Sequence, residues 1–215
     1  MGRAGMRIGC SPAAVPRLSC GDGALMSAVP KLRSATWQDV LEAPPHMTAE
    51  LMDGELHLQA RPAFRHARLS ARVKTDLQDD VGDDLPGWVV GQEIELHLGE
   101  PDPRSLVLVP DLSGWRSERV PDIEDALAVE VVPDWVCEIL SPSAARHDRF
   151  KKMDRYANLG VAWAWLIDPD QQLLEVYELR QGVWARVQAG GPDDELELRP
   201  FGVGVRLSRW FRRKV

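Results

Sequence analysis

Three cysteines in 215 residues are too few for a disulfide framework, and Cys10, Cys20 and Cys137 lack any spacing of metal-ligand type. An odd, unpatterned set suits a reducing compartment, so the expected location is the cytoplasm. No apolar run approaches the ~20 residues that a membrane span needs. No membrane partner is therefore expected. The first residues, MGRAGMRIGCSPAAVPRLSCGDGALM, have no sustained apolar h-region. Rich in Gly, Pro, Ala and Arg, they read as a disordered extension over residues 1–27, with Met26 as an alternative start. Excess positive charge is missing too. With 26 Lys and Arg against 33 Asp and Glu, the formal charge is −7, which argues against a basic coat but leaves space for a local basic groove. There is no His-rich ligand spacing, no Gly-rich phosphate loop and no Gly-x-Ser-x-Gly elbow.

What remains is an ordinary globular composition, 44% hydrophobic and 27% charged, enough for one α/β domain over residues 28–215. SATWQDVL (34–41) reads as a short capped helix. AELMDGELHLQA (49–60) reads as two strands about Asp53-Gly54, a strong hairpin signal flanked by Leu51, Leu56 and Leu58. The spacing of Phe64, Ala67, Leu69, Ala71, Val73 and Leu77 predicts an amphipathic helix from Ala63 to Asp80. Four extended segments follow: WVVGQEIELHL, SLVLVPDLSGW, DWVCEILSPS and AWAWLIDPD. Between the last two, AARHDRFKKMDRYANLG predicts a helix stopped at Gly160, which makes a βαβ crossover. LLEVYEL, VWARVQA and DELELRP then read as an added β extension. The predicted architecture is a mixed sheet flanked by helices, with an N-terminal hairpin and a C-terminal β extension.

Two of these strands break the apolar rule for strands buried on both faces. Asp111 closes LVLVPD and Glu138 interrupts WVCEIL. A buried, unpaired carboxylate costs several kcal/mol or takes up a proton. Two on neighbouring strands can instead share a divalent cation of the Mg²⁺ type. On the following helix Asp148, Lys152 and Tyr156 fall at i, i+4 and i+8, one face, flanked by Ala145, Met153 and Ala157. That face points inward and Lys151 points away. Lys152 is thus the lysine expected to meet the carboxylates and to offset transition-state charge. Plainer readings stand beside these: Asp111 as a turn residue, Glu138 as an edge-strand residue facing water, and Lys152 as a surface partner of Asp148. They weaken jointly, because the crossover brings all three residues together.

The ordered set DGEL (53–56), His66, VPD (109–111), CEILSPS (137–143), Asp148, Lys152, Tyr156, Gly160-Val161 and WAWLIDP (163–169) resembles the Uma-type restriction endonucleases, a branch of the PD-(D/E)xK nuclease superfamily. The resemblance spans residues 48–169. It implies a restriction-endonuclease-like αβββαβ core with Asp111 and Glu138 as metal ligands. The superfamily lysine sits two residues after the acidic residue, a place held here by Leu140; the Uma-type family lacks it there too and has a helical lysine corresponding to Lys152. Glu55 and His66 match family positions near the site, Glu55 as a ligand of a second metal or water and His66 as a phosphate contact or proton-transfer group. Their plainer readings are a solvated hairpin residue and a satisfied surface imidazole.

The reaction so implied is Mg²⁺- or Mn²⁺-dependent hydrolysis of DNA phosphodiester bonds. Candidate phosphate contacts are Arg61, Arg65, Arg68, Arg72 and Lys74 on or beside the first long helix, and Arg146, Arg149 and Lys151 on the second. The bland reading of most is solvated helix surface. Oligomeric state is left open by the sequence, a homodimer being common among nucleases that cut both strands. One rival is a catalytically silent binding module of the same fold, suggested by Trp115, Trp184 and Trp210 outside the expected core strands. Another is a metal-dependent phosphoesterase for small molecules.

Overall fold

The computed structural model describes residues 33–211 apart from 79–84, 121–122, 124–125 and 143–144. The extension predicted over 1–27, with Cys10, Cys20 and Met26, lies outside the described residues. Helix α1 (Trp37–Leu41) opens at Thr36, whose backbone N–H donates to Asp39 at 2.7 Å, a capping box in which the N3 acid satisfies the orphan donor. Strands β1 (Met47–Met52) and β2 (Glu55–Ala60) form the expected hairpin. Asp53 and Gly54 both take positive φ, 53° and 71°, as a type I′ turn requires. Helix α2 (Phe64–Asp76) buries Leu69 and Val73. It ends earlier than Asp80.

The segment read as one strand over 88–98 is two: β3 (Trp88–Gln92) and β4 (Leu96–His97). Glu93 stands between them at φ 51°, a left-handed conformation that ends regular pairing. The next segment divides likewise into β5 (Val107–Leu108) and β6 (Leu112–Arg116), because Pro110 has no N–H to give to a ladder. The short pieces β4 and β5 leave the main sheet and join the hairpin in a second sheet, ordered β2-β1-β5-β4.

Strand β7 (Trp135–Ile139) leads through a π-helical turn (His147–Lys152) and α3 (Met153–Leu159) to β8 (Trp163–Asp168). β7 and β8 pair in parallel, so the crossover is a true βαβ unit. Gly160 takes φ 79° as the left-handed stop. The C-terminal strands β9 (Leu173–Arg180) and β10 (Val183–Gly190) widen the main sheet to β10-β9-β8-β7-β6-β3. β11 (Glu195–Leu198) and β12 (Val203–Arg206) form a separate hairpin. One face of the large sheet packs α2 and the last turns around Trp135, Trp165, Phe201 and Trp210. The other packs α3 and the small sheet.

The suggestion that Trp115, Trp184 and Trp210 form an exposed interface gives way to the plainer reading, burial within the fold. Trp115 and Trp210 are buried, and half-buried Trp184 donates its indole N–H to the Met153 carbonyl at 2.8 Å. Each fills space between elements, where a large apolar ring stabilises most.

Candidate active site

Asp111 sits where the chain crosses from the small sheet to the large one, directly before β6. Its Oδ2 accepts the Ile139 N–H at 2.6 Å, and that bond fixes the carboxylate against the end of β7. His66, from the first turn of α2, places Nε2 3.2 Å from the same oxygen and 2.8 Å from the Ile139 carbonyl. Burial opposes charge on this imidazole, but the hydrogen bond and charge of Asp111, with the Ile139 carbonyl, raise its pKa above the ordinary value.

Glu138 is the penultimate residue of β7, inside the sheet and 3% exposed; the edge-strand reading fails. Its Oε1 accepts from the Tyr156 hydroxyl at 2.5 Å and meets Lys152 Nζ at 2.7 Å. Lys152 is 2% exposed and is no surface partner of Asp148. The inward face predicted for Asp148, Lys152 and Tyr156 holds, since all three are buried. The difference is that Lys152 closes a π-helical turn rather than lying in regular α-helix. Such turns recur at functional sites, where one wide turn redirects a side chain.

A residue that the sequence reading passed over completes the centre. Glu50, on β1 and 1% exposed, meets Lys152 Nζ at 2.9 Å and accepts the Val109 N–H at 2.8 Å. Burial pushes its carboxyl up, yet Lys152, His147 and the Val109 amide outweigh that and hold it at about 2. The signal was present in Ala-Glu-Leu-Met, one carboxylate among apolar neighbours, the same anomaly that marks Asp111 and Glu138. Glu55 lies elsewhere. It is exposed, pairs with Lys151 at 2.9 Å, and is not among the residues that line the central cavity.

That cavity has a volume of about 730 Å³ and is lined by Glu50, His66, Asp111, Glu138, Asp148 and Lys152, with Arg61 and Arg65 beside them. Its electrostatics are unbalanced. Four carboxylates, those of Glu50, Asp111, Glu138 and Asp148, share one buried ammonium. Burial, then the charges of Asp148, Asp111 and Glu50, push the Glu138 carboxyl well above its ordinary range despite Lys152. Burial and the neighbouring Glu50 and Asp111 charges raise Asp148 to about 6, with Lys152 and His147 opposing. Burial works against the charge on Lys152, but Glu138 and Glu50 overcome it and raise its pKa well above normal.

A site short of positive charge suits a hard divalent cation in kind. Mg²⁺ keeps several waters and takes one or two carboxylates, which Asp111 and Glu138 can supply. Among the described residues no three His, Cys, Asp or Glu side chains are gathered as a ready-made metal cage. Of the expected phosphate contacts, Arg61 lies 3.9 Å from Glu93, Arg65 2.8 Å from Asp170, and Arg149 2.8 Å from Glu175. Arg72 donates to the Arg209 carbonyl.

Among solved structures, the fold matches one from Anabaena variabilis described as "a putative nuclease belonging to DUF820". The identity is 22%, the match covers 81% of this chain and 96% of that one, and the TM-score is 0.63. That likeness supports the mixed α/β nuclease fold. No curated protein matches. No described helix is long and apolar enough to cross a membrane. The Uma2 family model, described as "Putative restriction endonuclease", matches residues 37–209, from α1 to the turn after β12. By that match the chain belongs to the Uma2 restriction endonuclease family.

Proposed function

We propose that the chain is a metal-dependent endonuclease that hydrolyses DNA phosphodiester bonds, with Mg²⁺ or Mn²⁺ held by Asp111 and Glu138. The observation that carries this reading is the Lys152 ammonium, buried between Glu50 and Glu138 at 2.9 and 2.7 Å on the wall of the same cavity as Asp111. Buried charge of this kind is costly to keep, and perturbed groups gathered in a cleft are a hallmark of catalytic centres. When bound, the ion would supply Lewis acidity and a more acidic water.

The chain's own residues have separable tasks. Lys152 offsets negative charge next to the scissile phosphate. Glu50 and Tyr156 orient that ammonium and the Glu138 carboxylate, respectively. His66 holds Asp111 against β7 and, with its raised proton affinity, is available to donate a proton or contact a phosphate. Arg61 and Arg65 stand at the cavity wall, where exchange of their acidic partners for phosphates would make binding salt-dependent. Glu55 has no part in this centre; Glu50 takes the third acidic place.

The deciding experiment is Mn²⁺-supported cleavage of supercoiled plasmid and of single-stranded DNA by wild type, Glu138→Ala and Lys152→Ala, alongside calorimetric Mn²⁺ titration. Nicking by wild type that both variants lose is the expected result. Well-folded wild type that neither cuts nor binds Mn²⁺ would overturn the proposal in favour of a silent binding module.

A further inference from the structure

Beyond the carboxylate centre, the cavity wall carries a second group of ligating side chains. His57 on β2 and His147, the first residue of the π-helical turn, lie ring to ring at 4.5 Å between centroids and 46° between planes. Both line the cavity. In each ring Nε2 is buried and, among the described residues, has no hydrogen-bond partner at ordinary distance. A buried polar atom left unmade costs stability, and two side by side in one wall call for an explanation.

Their neighbours narrow the choice of ligand. The nearest carboxylate oxygens are just beyond hydrogen-bond range, Glu55 Oε2 at 3.6 Å from His57 and Glu50 Oε2 at 3.7 Å from His147. Glu50 is already committed to Lys152 and Val109, whereas Glu55 is an exposed side chain paired to Lys151 at 2.9 Å, a surface ion pair weak enough to exchange for a metal. An anion is disfavoured by these acids. A cation that prefers imidazole nitrogen to oxygen suits two such atoms in one wall. Imidazole suits Zn²⁺, Co²⁺ and Ni²⁺, while oxygen-only surroundings suit Mg²⁺ and Mn²⁺.

We infer that His57 and His147 form a two-nitrogen site for a borderline-soft divalent metal, separate from the hard-cation centre at Asp111 and Glu138. Water, and Glu55 when it turns inward, complete the tetrahedral shell such ions adopt. This inference does not rest on nuclease activity, since binding is read without cleavage.

The test uses untagged full-length chain stripped of metal, titrated with Zn²⁺ by calorimetry and with Co²⁺ by its visible absorption. One Zn²⁺ that excess Mg²⁺ does not displace is expected, beyond any taken up at Asp111 and Glu138, together with the intense Co²⁺ bands of tetrahedral nitrogen ligation. His57→Gln and His147→Gln should each weaken affinity about tenfold or more, whereas the exposed His46→Ala and the hard-site Asp111→Asn should leave it unchanged. Excess Mg²⁺ should not compete. Thermal melts establish that each variant folds, and His57→Gln alone suffices should the π-turn variant fail. Absence of saturable Zn²⁺ binding, its survival in folded His57→Gln, or its loss in folded Asp111→Asn would each overturn the inference.

Discussion

Strand β7 has two faces that solve the problem of burial in opposite ways. Trp135, Cys137 and Ile139 point into a dry core with α2 and Trp165, and Trp135 meets Trp165 edge to face at 4.9 Å. Glu138, between them, faces the other layer and joins Lys152 and Tyr156. Alternation of side chains along a strand permits this contrast within five residues. The aromatic face gains from removing apolar surface from water. The charged face loses solvation and recovers it only through mutual pairing. One strand thus anchors the fold on one side and keeps a reactive, imperfectly neutralised cluster on the other.

Two substitutions should separate these kinds of burial most clearly. Lys152→Ala leaves the buried Glu50 and Glu138 carboxyls without their shared ammonium and is expected to cost ~3–5 kcal/mol in denaturant unfolding. Trp165→Ala opens a cavity of comparable cost, ~3–5 kcal/mol. They should differ in rescue. Glu50→Gln, Glu138→Gln and Lys152→Met combined should recover most of the loss from Lys152→Ala, because the partners are removed together. A triple variant as unstable as the single one would mean that shape, not charge, holds this face.

A smaller effect is expected at Asp148. Its carboxyl is held at about 6 against an ordinary 3.8, so the folded state binds the proton more tightly than the unfolded one. The stability this confers is complete below about pH 4 and is lost as pH rises through about 6. In EDTA, Asp148→Asn should therefore stabilise the protein near neutral pH by on the order of 1–3 kcal/mol, and flatten the slope between those pH values. An unchanged slope in pH-dependent unfolding would remove Asp148 from the unbalanced cluster. The smallest change belongs to the dry face. Trp135 Nε1 is buried without a partner among the described residues, so Trp135→Phe deletes an unsatisfied donor while losing some packing. The two should nearly offset, within about 1 kcal/mol by thermal or denaturant unfolding.

Much of this was legible in the chain itself. Asp53-Gly54 announced its hairpin because few residues tolerate positive φ, and the βαβ unit followed from apolar runs around an amphipathic helix with a Gly stop. Asp111 and Glu138 stood out as charges in apolar strands. Glu50 did not, although it obeys the same rule, since the alternation of a hairpin does not say which of its faces another sheet will cover. Only the packing of β1 against β5, a long-range pairing, turns that strand into an interior one. For the same reason the breaks at Glu93 and Pro110 were hidden: local pattern shows extended chain but not which sheet it joins. The pairing of His57 with His147 is likewise a product of tertiary approach, 90 residues apart in sequence.

Lys152 Nζ touches three separate segments: Glu50 in the small sheet, the Val109 carbonyl at the crossing between sheets, and Glu138 in the large sheet. Mechanically the side chain is a bolt through two plates. The linker around Glu93 and the one through Pro110 are short joints between those plates, and Glu93, Val109 and Asp111 line the cavity. Any event that draws Glu138 away from the ammonium would slacken the bolt as well as change the charge.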